Sequence, residues 1–127
     1  MPMAVNNRQK INKEMIEKAY EVIKPIYDNG MCNNEIEYGI KELENYKWKK
    51  NCAKYTFANF NKLMNGEAYH WRMSVLQTKI FLENIYRDYK KMGLEKALIS
   101  VRMHLANNNN KLIGIKKVYE EYIKTLK

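Results

Sequence analysis

Turn-forming residues are scarce in this chain, with five glycines and two prolines among 127 residues. A sandwich or barrel of short strands needs turn signals roughly every 8–12 residues, so that class is disfavoured at once. Thiols are nearly absent too. Cys32 and Cys52 are the only two, which rules out a disulfide-held scaffold and points to a reducing, cytoplasmic setting. Asp28 and Asp88 are the only aspartates, and Gly30, Gly39, Gly66, Gly93 and Gly114 each stand alone, so no glycine-rich phosphate loop exists. No apolar run reaches the length of a membrane span, and the polar Met1–Lys10 stretch lacks the pattern of a secretory leader. These absences leave no cofactor expected, no membrane partner and no enzymatic role.

What is abundant is positive charge. Lys and Arg number 23 against 14 acidic residues, a formal net charge of +9. Such a balance selects acidic partners, nucleic acid first among them. The abundance of Lys, Asn, Ile and Tyr beside few Arg has the style of AT-rich coding, which accounts for the total without any function. It does not account for clustering. Between Lys47 and Lys79 the chain carries Lys47, Lys49, Lys50, Lys54, Lys62, Arg72 and Lys79 against Glu67 alone.

The hydrophobic pattern is helical almost throughout. Ile11, Met15, Ala19, Val22 and Ile26 form one stripe, which Pro25 should end or kink before a turn at Asp28-Asn29-Gly30. Asn34 with Glu37 suggests a capping box for a second helix through Ile36, Ile40 and Leu43. Lys47 to Tyr55 has no period and reads as a basic loop. Thr56 then caps a short helix that buries Phe57, Phe60, Leu63 and Met64 and closes at Asn65-Gly66. Ser74 with Gln77 opens a helix that runs to Met92 and stops at Gly93 as a left-handed cap. Leu94, Leu98, Val101 and Leu105 make the next stripe. Asn107 to Asn110 forms a loop, with Asn110 capping a last helix through Ile115, Tyr119, Tyr122 and Leu126. The expectation is one all-α domain over residues 1–127, a compact bundle of about six short helices.

Chemistry-bearing clusters are few. Cys32, Cys52, His70 and His104 could number four zinc ligands, but no two stand at the close spacing structural zinc sites use. A Cys52–His70 pair and the Glu67–His70 pair have no local support as catalytic groups. Residues 46–72 say more, because the lysines there alternate with Tyr46, Trp48, Tyr55, Phe57, Phe60, Tyr69 and Trp71. Cations neutralise phosphates and exposed rings stack on bases. Phe57 and Phe60 lie on the apolar stripe and belong to the core, whereas Trp48 and Trp71 read either as half-buried loop anchors or as stacking platforms. On a helical wheel Ala58, Asn59, Lys62 and Asn65 fall opposite that stripe, and such amides and cations suit a nucleic-acid groove.

The run from Thr56 to Glu67, with Leu76 and Ile80 in the helix beyond, resembles the phage Cro/repressor type of helix-turn-helix protein. In that family a short recognition helix ends in an Asn-Gly or Arg-Gly turn. The likeness covers about residues 55–82 and implies DNA contact by this helix. Lys47 to Tyr55 stands where the family has a preceding helix and tight turn, so phosphate contact is the safer implication. The sequence thus leads to a small nucleic-acid-binding protein, a phage or mobile-element regulator. DNA or RNA phosphates would be met by Lys47, Lys49, Lys50, Lys54, Lys62 and Arg72, with Asn59 and Asn65 nearest a groove. The rival is an inhibitor of a host nuclease or defence complex, of the anti-CRISPR kind. It would dock the same basic surface on an acidic or nucleic-acid-binding face of a host protein.

Overall fold

The computed structural model describes residues 10–127, and the stretch 1–9 lies outside the described residues. Among the described residues five helices account for the regular structure: α1 (Lys13–Asp28), α2 (Asn33–Glu44), α3 (Lys50–Asn65), α4 (Val75–Asn107) and α5 (Ile113–Leu126). No strand occurs among the described residues. The described chain is all-α, with five helices in residues 10–127 where about six were expected over the whole sequence. Two compact units divide it, the first ending at Phe57 and the second running Ala58–Lys127, so α3 contributes a half to each.

In the first unit α1 packs on α2. Asn12 caps α1 by accepting from the Met15 N–H at 2.9 Å. The buried face comprises Met15, Ile16, Ala19, Tyr20 and Ile23, while Val22 and Ile26 are half-buried at its edge. Pro25 does not end the helix, which makes one further turn to Asp28. A proline lacks only its own N–H bond, and the turn beyond is closed by Asn29 N–H donating to the Pro25 carbonyl and by a 2.8 Å Lys24–Asp28 pair. The expected Asn34–Glu37 capping box is not made. The N-cap is Cys32, without a side-chain bond, and Asn34 is already helical.

The second unit holds α4 against α5, with Phe60 of α3 edge-on to Phe81 at 5.9 Å. Two cap signals read in the sequence are formed here. Ser74 accepts from the Gln77 N–H at 3.0 Å. Gly66 has φ +70, with its own N–H on the Leu63 carbonyl and that of Glu67 on the Lys62 carbonyl, the paired bonds of a Schellman cap. Asn110 does not cap α5, whose N-cap is Leu112. Asn109 and Asn110 instead take left-handed conformations that Asn tolerates.

The boundary expected at Gly93 is displaced. The helix from Val75 is interrupted at Lys90 (φ 62, ψ −159) and resumes through Asn107. Gly93 is helical and buried, so it is not a left-handed cap. Its role is steric: a Cβ on Gly93 would stand 2.4 Å from the Tyr89 Cβ, which the break lays across it. A lysine held at positive φ with extended ψ occupies a region nearly restricted to glycine. Lys90→Gly is therefore expected to raise stability by about 1 kcal/mol. Gly93→Ala is expected to lower it by about 1–3 kcal/mol through overpacking against Tyr89. Urea denaturation of the two variants beside the parent checks both signs.

Candidate nucleic-acid interface

The basic stretch after α2 is shorter than the expected loop. Helix α3 starts at Lys50, because Ala53, Thr56, Phe57 and Phe60 continue one buried stripe back to its first turn. Ala53 and Thr56 carry little hydrophobic signal, which is why Lys47–Tyr55 looked aperiodic. Thr56 is buried within the helix and caps nothing. What remains between α2 and α3 is a tight link fixed by Trp48. Its indole is 2% exposed and donates to the Met15 carbonyl at 2.9 Å. The Trp48 N–H reaches back to the Leu43 carbonyl, which leaves Lys47 in a left-handed conformation at φ 74.

This anchor sets four lysines in solvent at one helix end. Lys47, Lys49, Lys50 and Lys54 are all exposed, and the first turn of α3 contains no acidic residue. The first-turn N–H groups of a helix and its dipole already present positive potential there. Lysines at that end oppose helix stability and favour an anion. Lys50 and Lys54 have no ion pair among the described residues.

The second unit presents Lys62, Asn65, Arg72 and Lys79, all exposed. Lys62 pairs with Glu67 at 3.3 Å. Asn59 is a correction. It is 2% exposed, its amide donates to the Trp71 carbonyl at 2.8 Å, and its oxygen accepts from the Trp71 N–H at 3.3 Å. At about 100° per residue Asn59 borders the apolar stripe rather than opposing it. The nine residues 66–74 run across that border without regular structure and cover it.

That strap has further side-chain fastenings. Ser100 donates to the Glu67 carbonyl, and His104 bonds the Tyr69 carbonyl through Nδ1 at 2.8 Å. A carbonyl only accepts, so Nδ1 carries the proton and Nε2 is left buried without a partner. The Tyr69 ring stacks on the imidazole at 4.0 Å. Burial lowers the His104 pKa below its ordinary value. The bond to Tyr69 opposes this, and the charges of Arg72 and His70 add to it. Burial likewise raises the Tyr69 phenol.

The aromatic residues of the window separate cleanly. Trp48, Phe57, Phe60 and Tyr69 are buried, whereas Tyr46 lies beneath the Lys18 ammonium at 4.4 Å. Trp71 stays 41% exposed, edge-on to His70, on backbone clipped by Asn59 and next to Arg72. Among the described residues no three His, Cys, Asp or Glu side chains gather as metal ligands. Burial raises the Cys52 thiol pKa, with Lys49 partly opposing, which keeps it protonated and a poor nucleophile.

No protein-family model, curated protein or solved structure matches the chain.

Asn59→Ala is expected to lower stability by about 1–3 kcal/mol, since it strands both backbone groups of Trp71. Thermal melting checks this, and a change within 0.5 kcal/mol, the usual span for surface positions, would contradict the clip. His104 gives a pH dependence. Its native pKa is depressed, so below the ordinary value of about 6.5 the unfolded chain binds the extra proton more readily. Stability should fall as pH drops through that value and level off below the native pKa. Melts from pH 8 to pH 5 should show this slope in the parent and its loss in His104→Asn, which keeps a donor for the Tyr69 carbonyl without a titrating ring.

Proposed function

We propose that the chain binds nucleic acid through the phosphate backbone, as a non-catalytic protein, with Lys47, Lys49, Lys50 and Lys54 as the principal contacts. The observation that carries this reading is the placement of four exposed lysines on a helix end that has no acidic residue in its first turn. Such an arrangement works against the helix dipole and is offset when an anion sits on it. Lys62 and Arg72 add phosphate contacts in the second unit, and Trp71 offers a ring for stacking beside Arg72. With Asn59 committed to Trp71, base reading by α3 is left to Asn65, and affinity is expected to vary little with sequence. Regulation in a phage or mobile element is the setting we assign on charge, size and the helix-turn-helix likeness, and the absence of a disulfide between Cys32 and Cys52 accords with a cytoplasmic one. No described helix is long and apolar enough to cross a membrane.

Salt titration of binding to duplex DNA, single strands and RNA tests the proposal. With about five phosphates neutralised, log affinity for duplex should fall against log salt with slope roughly −4 to −5. Lys49→Ala, Lys50→Ala and Lys54→Ala combined should flatten the slope by about three. Lys47→Gly separates binding from folding. Relief of the left-handed lysine should raise stability by about 1 kcal/mol while the slope loses about one unit. An unchanged slope in the triple variant, or no binding by the parent, would transfer the basic face to docking on an acidic host protein.

A further inference from the structure

The loop Asn108–Leu112 joins α4 and α5 into a helical hairpin, and the outer side of that hairpin is hollow. A groove of about 500 Å³ runs between the second half of α4 and α5, walled by Met92, Leu98, Ile99, Tyr119, Ile123 and Leu126. Its rim is open to solvent: Met92 is 72% exposed and Ile99 is 42% exposed. The α4 wall extends from Met92 to Arg102, about 15 Å at 1.5 Å per residue. That length receives three turns of another helix with anchors at i, i+4 and i+7. These six wall residues are apolar or aromatic, unlike the lysine cluster at the start of α3, so this surface stands apart from the nucleic-acid reading.

Charge at the rim decides the occupant. Lys96 and Arg102 border the apolar walls against Glu95 alone, and neither cation has an ion pair among the described residues. A second copy would bring the same two cations and a further net charge of +9 to the contact. An acidic helix brings carboxylates instead. We infer that this groove docks an acidic amphipathic helix of a partner protein, its apolar side against Ile99, Tyr119 and Ile123 and its carboxylates on Lys96 and Arg102. The unbranched Met92 side chain at the mouth adapts to the shape of the incoming residue.

Fluorescence anisotropy with the full chain tests this. The probe is a labelled helical peptide of about 18 residues with Leu at i, i+3, i+4 and i+7 and Glu at the remaining positions, beside a counterpart with Lys for Glu. The acidic peptide should bind at least about tenfold more tightly than the basic one, with the difference shrinking at high salt. Met92→Glu with Ile99→Glu, both exposed and so compatible with folding, should weaken the acidic peptide about tenfold or more. Arg102→Glu should narrow the preference between the two peptides while circular dichroism stays unchanged. Equal binding of both peptides, or full retention of binding in Met92→Glu/Ile99→Glu, would overturn the inference. So would a dimer of the parent chain in sedimentation that the same double variant dissolves, because the occupant would then be a second copy.

Discussion

Residues 66–74 have no helix or strand to absorb their backbone N–H and C=O groups, yet they cover the flank of α3 and part of α4. Buried backbone polar groups without partners are costly, and the rest of the second unit is arranged to supply them. Asn59 takes both groups of Trp71, Ser100 takes the Glu67 carbonyl and His104 takes that of Tyr69. Three polar side chains on two helices are thus buried for the sake of one strap. Their burial fixes which sides of α3 and α4 face inward, and it holds Trp71 and Arg72 in solvent. The neutral imidazole of His104 belongs to the same constraint, since a protonated ring would place a charge where Nε2 has no acceptor.

In the first unit several local rules are broken together at the start of α3. Lysines gather at the positive end of α3, Lys47 adopts a conformation that suits glycine, and the first turn has no carboxylate. Each departure opposes folding by a modest amount, and Trp48, buried and hydrogen-bonded to Met15, holds them in place. Conflicts of this kind are characteristic of surfaces kept for binding rather than for stability. Lys90 is the corresponding conflict in the second unit. There the break turns the second half of α4 so that Gly93 receives Tyr89 and Met92 points into solvent at the groove mouth.

The all-helical class was legible because Phe57, Phe60, Leu63 and Met64, and likewise Leu94, Leu98, Val101 and Leu105, repeat at helical spacing and are buried. Ser74–Gln77 and Gly66 were legible because caps are local chemistry. Asn59 was not, because a helical wheel knows one helix and nothing of a strap laid over its border. The start of α3 was obscured by Ala53 and Thr56, small or polar residues that are buried all the same. The lysines of the candidate interface were visible from clustering alone, and exposure is what the fold adds to Lys47, Lys49, Lys50, Lys54, Lys62 and Arg72. The groove left little signal. Met92 extended an apolar stripe in the sequence, and only the turn at Lys90 directs it outward.

Gly66 also bears on how the molecule ages. An asparagine followed by glycine deamidates when the glycine backbone nitrogen attacks the asparagine side-chain carbonyl carbon and expels ammonia, which closes a five-membered imide. Water then opens the imide to aspartate or isoaspartate. In the Schellman cap the glycine nitrogen donates to the Leu63 carbonyl at 3.3 Å, directly after Asn65 ends α3. The cap therefore acts as a chemical guard as well as a helix stop. Each fraying of the last turn of α3 lowers it, so the rate of imide closure follows local opening of that turn. The hydrolysed product places a carboxylate three residues from Lys62, at the negative end of the helix dipole. Old molecules would thus differ from fresh ones by one added negative charge at the exposed surface of α3.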